Sequence, residues 1–257
     1  MLYEELLEAS KPRFDEFFKN VKTFENQFCW NEYNGQCYEY LYKNNSYDDL
    51  ATVKGAKEAI TGMKEICSKC GAYFIPKRNE SIPKYDVILG KQMEEEIMKF
   101  LQEKLGTVVC RGDLENRSYP DCKILKADGS VAAYFEVKYH AAPFVYSVRF
   151  TGRECYEGSA TLDYKKMKKQ LALIEEEIDV PVYYLHWIDY PCLKGIFYES
   201  SDSVKAHMEQ QHAEFERKKR EGDDKKSAGA RYFSKIYSYL LELKSFEEMM
   251  DEFKDLL

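Results

Sequence analysis

The chain has 257 residues, of which 44% are apolar and 32% charged, so it is long enough for one large core or two smaller ones. This composition excludes intrinsic disorder, collagen-like repeats and low-complexity sequence. With 38 basic and 45 acidic residues the net charge is −7, so any polyanionic partner must be met by a local basic patch.

The N-terminal part of the chain is predicted to be helical and to end at a polar linker. Apolar residues recur every three to four positions over residues 1–28, which predicts a helix with a break or kink at Pro12. The first residues are acidic where a signal peptide would be basic, and no stretch of about 18 apolar residues is present, so we expect a cytoplasmic protein. The polar stretch 77–83 lies between prolines, and we place a domain boundary there, between parts 1–85 and 86–257.

The cysteines of the N-terminal part raise the question of metal binding. Cys67 and Cys70, followed by Gly71, have the spacing of a zinc knuckle, and Cys29 and Cys37 are the pair available to complete four ligands. We therefore predict a structural Zn²⁺ site in an N-terminal helical, zinc-binding module. Since Cys29 and Cys37 lie further apart than the usual spacing, four reduced cysteines without metal are the alternative.

Downstream of the boundary, helices and strands follow one another in an order typical of a mixed sheet covered by helices. The predicted elements are a helix over 90–105, a strand over 106–110, strands over 119–125 and 131–139 joined by a turn, a helix over 163–177, and strands over 180–188 and 195–198. The sequence thus predicts an α/β fold in which a central mixed β-sheet is flanked by helices.

The sharpest group of chemically competent residues lies on the predicted hairpin. Glu136 and Lys138 share one face of a strand because side chains alternate, and the preceding strand can bring Asp121 beside them. Two converging carboxylates are costly unless a cation neutralises them, and hard oxygen ligands suit Mg²⁺. The lysine can position or help deprotonate an attacking water, so these residues suffice for metal-assisted phosphodiester hydrolysis.

A third acid is expected from the preceding helix, and helical phase selects Glu94. At 100° per residue, Glu94 lies within the apolar stripe formed by Met93, Ile97, Leu101 and Leu105, whereas the next two glutamates fall outside the stripe or at its edge. A glutamate that points inward needs a compensating partner. We therefore nominate Glu94 as a metal ligand or as an organiser of the ligands.

These residues, in this order, resemble the PD-(D/E)xK nuclease superfamily, which includes many restriction endonucleases and repair nucleases. The resemblance covers about residues 86–200 and rests on Glu94, Pro120-Asp121, Glu136-Val137-Lys138 and the helix that follows. It implies a restriction-endonuclease-like sheet, hydrolysis of nucleic-acid phosphodiesters and Mg²⁺ as cofactor. Asp121 and Glu136 would then be metal ligands, Lys138 would position or activate the water, Glu94 would assist, and Gln170 would give support.

Basic residues supply candidate contacts to a nucleic acid despite the acidic total. Residues 213–235 carry eight basic and five acidic side chains, and we expect a flexible basic loop there, although a solvated charged segment is the alternative. The residues assigned to nucleic-acid binding are Lys165 and Lys169 on the helix, and Lys218, Lys219, Arg220, Lys225 and Lys226 in the basic run.

The favoured function is that of a Mg²⁺-dependent DNA endonuclease, with restriction or defence as a candidate role and a homodimer as the expected assembly. DNA and RNA are not distinguished by these residues. The first alternative is a non-catalytic nucleic-acid-binding or interaction protein on a nuclease-like fold. A second is a small zinc-dependent regulator. If the motif were only an exposed hairpin with a surface ion pair, Asp121 and Glu136 could lie on opposite faces of the sheet.

Overall fold

The structure is a computed structural model that describes residues 1–20, 30–43, 57–66, 68, 83–116, 118–140, 159–190, 192–210, 215–218 and 232–257. Its helices are α1 (Leu2–Asn20), α2 (Glu32–Tyr38, continued by a π-helical turn over Glu39–Lys43), α3 (Pro83–Leu105), α4 (Tyr164–Glu177), α5 (Ser201–Gln210) and α6 (Phe246–Asp255). Its strands are β1 (Val109–Arg111), β2 (Cys122–Leu125), β3 (Val131–His140), β4 (Ser159–Asp163), β5 (Val182–Asp189), β6 (Lys194–Ser200), β7 (Phe215–Lys218), β8 (Tyr232–Tyr239) and β9 (Lys244–Ser245).

The strands form one large sheet and one small sheet. Among the described residues, the central sheet has six strands in the order β1-β2-β3-β5-β6-β9, in which only β3 and β5 are parallel neighbours. The small sheet is antiparallel, in the order β4-β8-β7. The α/β class and the central mixed sheet flanked by helices are thus confirmed.

The two faces of the central sheet carry different side chains because successive residues of a strand alternate. The apolar face carries Phe135, Val137, Leu185, Trp187, Ile196 and Tyr198, and it packs against α1, α3 and α6. The polar face carries Glu136, Lys138, His140, Tyr184, His186 and Glu199. Leucine, isoleucine, methionine and valine side chains of α4, α5, β4 and β8 cover part of this second face.

Two local predictions are corrected by the structure. Helix α1 continues through Pro12, so the break that we expected there is absent, whereas a kink at Pro12 stays a prediction. Residues 215–218 of the basic run pair with a strand over 232–239, which begins inside the run, where we expected a loop. Aromatic residues at 232, 233, 237 and 239, with Ile236 between them, favour extended backbone and explain the strand β8.

Helix α1 lies before the predicted domain boundary but packs into the core of the downstream part. Leu6 and Phe14 of α1 are buried in the same cluster as Phe135 and Trp187 of the central sheet. The described residues on the two sides of the boundary therefore share a core, and the division at residue 85 stays a prediction. Within the described ranges, no helix has the length and apolar character needed to cross a membrane.

Candidate active site

A closed loop delivers Asp121 to the edge of β2. The N–H of Gly112 donates to the carbonyl oxygen of Asp121 at 2.9 Å, which ties the two ends of the loop together. A Cβ at Gly112 would lie 2.1 Å from the carbonyl oxygen of Pro120, so a larger residue would force backbone to move. Gly112 therefore permits the close approach that fixes the position of Asp121.

Each of the two candidate metal-binding carboxylates accepts a hydrogen bond from a backbone N–H of the segment that carries the other. The N–H of Asp121 donates to Oε2 of Glu136 at 3.1 Å, and the N–H of Val137 donates to Oδ2 of Asp121 at 3.1 Å. Cys122 pairs with Phe135, so the antiparallel register sets Asp121 opposite Glu136. The two carboxylates therefore lie together and not on opposite faces of the sheet.

Glu136 is fully buried, and both of its carboxylate oxygens accept hydrogen bonds. Oε1 accepts from the ammonium groups of Lys138 and Lys166. Oε2 accepts from Nε2 of Gln170 at 3.1 Å, and the hydroxyl of Tyr184 donates to Oε1 of Gln170 at 2.9 Å. These bonds hold the carboxylate in one orientation, as a buried charge requires.

The pKa values of the two acids shift in opposite directions. Burial alone would raise the pKa of Glu136, but Lys138 and Lys166 outweigh it and hold that pKa below its ordinary value. Burial, with the negative charge of Glu136, raises the pKa of Asp121. Burial would lower the pKa of Lys138, but Glu136 and Asp121 raise it above its ordinary value. Asp121 is thus the acid whose charge is less well compensated.

The donor set fits a hard divalent cation. Magnesium is usually held by one or two carboxylates, with water and substrate phosphate as the remaining ligands. Asp121 and Glu136 supply two carboxylates of this kind, and a divalent charge would relieve their mutual repulsion. Three or more metal-binding side chains do not converge anywhere in the described part of the chain, so a closed protein cage is not what these residues form.

Glu94 lies on α3 with only 19% of its side chain exposed, in keeping with its phase in the helix. Its carboxylate pairs with the guanidinium of Arg111 on β1, which supplies the compensation that an inward glutamate needs. The bonds that join Asp121 to Glu136 do not involve Glu94. A role for Glu94 at the metal therefore stays a prediction.

The predicted basic contacts have different surroundings. Lys165 and Lys169 are exposed on α4. Lys218 ends strand β7, whereas Lys219, Arg220, Lys225 and Lys226 lie outside the described residues. Lys235 of β8 lies 3.4 Å from a carboxylate oxygen of Asp163 and so belongs to the small sheet.

The predicted zinc ligands fall mostly outside the part of the chain that the structure describes. Cys29, Cys67 and Cys70 are not among the described residues. Cys37 lies on α2, fully buried in a cluster with Ile188 and Phe197. The structure therefore gives the surroundings of one of the four cysteines.

Two polar features of the site do not follow from the sequence argument. Lys166 lies in a helix whose lysines suggest only a basic surface, yet it contacts Glu136. Its separation of four residues from Gln170, which places both on one side of α4, is the signal that could have found it. The second is a partly buried chain in which His140 Nε2 lies 3.1 Å from His186 Nδ1, and His186 Nε2 lies 2.8 Å from Glu199 Oε1.

Comparison with known proteins gives no family assignment. No family model and no curated protein sequence matches the chain. Among solved structures, a nuclease from a fusselovirus is similar over 68% of this chain and 91% of its own, at 12% identity and a TM-score of 0.34. A likeness at this level carries no functional argument, so function must be argued from the geometry of the site.

Proposed function

We propose that the chain is a metal-dependent phosphodiesterase that cleaves nucleic acid, with Mg²⁺ as its cofactor and DNA as the expected substrate. The observation that carries this proposal is the interlocked pair of Asp121 and Glu136 with Lys138 on the same carboxylate. Both ammonium groups of the site, those of Lys138 and Lys166, donate to Glu136, whereas the pKa of the partly buried Asp121 beside it is raised by burial and by the charge of Glu136. A bound divalent cation explains why both acids are kept together.

The residues divide the work of hydrolysis between them. Asp121 and Glu136 would hold Mg²⁺, which when bound supplies a Lewis acid for a phosphoryl oxygen and acidifies a water. Lys138 would orient that water and balance the charge that develops on the phosphate. The water oxygen bonds to phosphorus and gives up one proton to solvent, one ester P–O bond breaks, and the released oxygen takes a proton from solvent. Gln170 would keep Glu136 oriented and would not touch the reacting atoms.

Substrate contacts would come from basic side chains outside this group. Exposed Lys165 and Lys169 lie on the helix that carries Gln170, so they would meet the backbone near the site. Lys218, Lys219, Arg220, Lys225 and Lys226 would add contacts further along. Cleavage of both strands of a duplex calls for two such sites, so we propose a homodimer, with restriction or defence as its role.

A structural zinc site in the N-terminal part is a separate proposal. The zinc-knuckle spacing of Cys67 and Cys70, with Cys29 and Cys37 as the completing pair, supports it. Elemental analysis of purified protein should find about one zinc per chain. A chain without zinc, whose stability is unchanged by Cys67→Ser, would reduce the four residues to ordinary thiols.

Incubation with plasmid DNA, single-stranded DNA and RNA in Mg²⁺, Mn²⁺ and EDTA tests the proposed activity. We expect cleavage with either metal, none in EDTA, and none by Asp121→Asn, which keeps the shape of the side chain and loses its charge. Binding of nucleic acid without cleavage in any metal would instead support a non-catalytic binding protein on a nuclease-like fold. Cleavage that persists in EDTA would overturn the assignment of Asp121 and Glu136 as metal ligands.

A further inference from the structure

Lys166 occupies the one oxygen of Glu136 that a metal would have to approach. Oε2 of Glu136 already accepts from the N–H of Asp121 and from Gln170, both at 3.1 Å. Oε1 is the remaining oxygen, and the ammonium groups of Lys138 and Lys166 both donate to it. A cation can therefore bind Oε1 only if one of these ammonium groups moves away.

The two lysines are not equally free to move. Lys138 lies on β3 beside Glu136, with 23% of its side chain exposed, and its ammonium is also 3.5 Å from the carbonyl oxygen of Val137. Lys166 reaches Glu136 from a separate element, and 43% of its side chain is exposed. Solvent is therefore more accessible to the Lys166 ammonium as an alternative partner.

The backbone of Lys166 is fixed while its side chain projects into the site. Asp163 caps α4, and its Oδ1 accepts from the N–H of Lys166 at 3.0 Å. The other carboxylate oxygen of Asp163 lies 3.4 Å from Lys235, which ties the cap to the small sheet. The Lys166 side chain can therefore change rotamer without moving the helix that holds Gln170.

We propose that Lys166 is an internal counter-ion that competes with the divalent metal for Oε1 of Glu136 and thereby sets the metal requirement of the site. The proposal rests on the proposed metal-dependent function. In the metal-free protein the ammonium balances the buried carboxylate of Glu136, and it leaves Oε1 when a metal binds. The released ammonium stays beside the site, where it is placed to meet a phosphate oxygen. The Lys166 ammonium and the metal thus compete for the same carboxylate, and each weakens the binding of the other.

Metal binding measured without nucleic acid tests this competition. Calorimetric titration of the full chain with Mn²⁺ and Mg²⁺ compares the wild type with Lys166→Met, and with Lys168→Met as a control. Lys168 is exposed on the same helix, so its substitution removes an equal charge away from Glu136. We expect Lys166→Met to bind metal at least about fivefold more tightly. Lys168→Met should change the affinity by less than about twofold, because an exposed charge is screened.

Thermal denaturation gives a second readout that does not depend on activity. Without metal, Lys166→Met should melt below the wild type, because Glu136 loses one of its two counter-ions. Saturating Mg²⁺ should reduce this difference, whereas Lys166→Arg should behave as the wild type in both conditions.

The outcomes separate this inference from the proposed function. If the wild type binds Mn²⁺ through Asp121, and Lys166→Met binds it no more tightly than Lys168→Met, Lys166 is not a competitor and the proposed metal site still stands. Weaker binding by Lys166→Met would likewise overturn the competition. If neither the wild type nor Lys166→Met binds either metal, the metal site itself is wrong.

Discussion

Along β5 the two faces of the central sheet are equally well buried, yet they hold different chemistry. On β5, Leu185 and Trp187 of the apolar face and Tyr184 and His186 of the polar face are all fully buried. The apolar side chains pack against three helices. The polar ones are joined by hydrogen bonds, from Tyr184 to Gln170 and from His186 to Glu199.

The two faces therefore have different roles: the apolar face contributes most to stability, and the polar face carries the reactive groups. Apolar burial contributes about 25 cal/mol per Å² without regard to direction, whereas a buried polar group contributes little net and must be paired. Substitutions on the apolar face should therefore change the free energy of unfolding. Substitutions on the polar face should change the chemistry of the site or its pH dependence.

The largest effect on activity is expected from Asp121→Asn on the polar side. Loss of the charge should lower kcat at least about 10²-fold, because a bound metal supplies several kcal/mol of transition-state stabilisation. The asparagine oxygen can still accept from Val137, and repulsion with Glu136 falls, so the melting temperature should be unchanged or raised. Single-turnover cleavage and calorimetric melting measure the two effects. A large drop in melting temperature would mean that Asp121 is a structural residue.

The largest effect on stability is expected from Leu185→Ala on the apolar face. Leu185 is fully buried in the core, so the substitution should cost about 2–5 kcal/mol of unfolding free energy. Urea denaturation measures the cost, and Leu114→Ala is the control. Leu114 is 87% exposed, and its substitution should cost less than about 0.5 kcal/mol. Cleavage per folded molecule should survive Leu185→Ala, and its loss would show that the two faces are coupled.

The apolar face and the carboxylate pair were predictable because each follows from a short-range rule. Strand alternation placed Glu136 and Lys138 together, and the antiparallel register then required Asp121 to lie opposite Glu136. Helical phase predicted that the side chain of Glu94 points inward, but it could not predict which residue pairs with its carboxylate. That partner, Arg111, depends on where β1 passes α3, which is a property of the tertiary structure.

The rest of the polar face depends on contacts between elements far apart in the chain. Glu136 is joined to Lys166 across 30 positions, and His140 to His186 across 46. No local pattern fixes which side of a distant helix or strand meets a given residue. Strands β7 and β8 of the small sheet were missed because the charged residues of the run were given more weight than the aromatic residues between them.

A smaller, pH-dependent effect is expected from His140 at the end of the polar face. Burial lowers the pKa of His140 well below its ordinary value, and His186, Lys138 and Lys235 lower it further. Below about pH 6.5 the unfolded chain therefore binds a proton that the folded chain does not, and stability falls as pH falls. The slope should be at most about 1.4 kcal/mol per pH unit. Urea denaturation from pH 8 to pH 5 should show this dependence of unfolding free energy on pH in the wild type and a weaker one in His140→Gln. Identical slopes in the two proteins would rule out the effect.

The smallest effect per residue is expected from basic side chains that belong to neither face. Removing one cation that binds a duplex-DNA phosphate should reduce the slope of log affinity against log salt by about 0.9, and the affinity should fall alike for all sequences. We expect this from glutamine substitution of Lys218, Lys219, Arg220, Lys225 and Lys226, measured by fluorescence anisotropy in EDTA to prevent cleavage. Asp121→Asn should leave the slope close to that of the wild type, because it removes no cation. If the variant with the substituted basic run binds DNA with an unchanged slope, the DNA surface should instead include Lys165 and Lys169. Substitution of these two lysines together should then lower the slope.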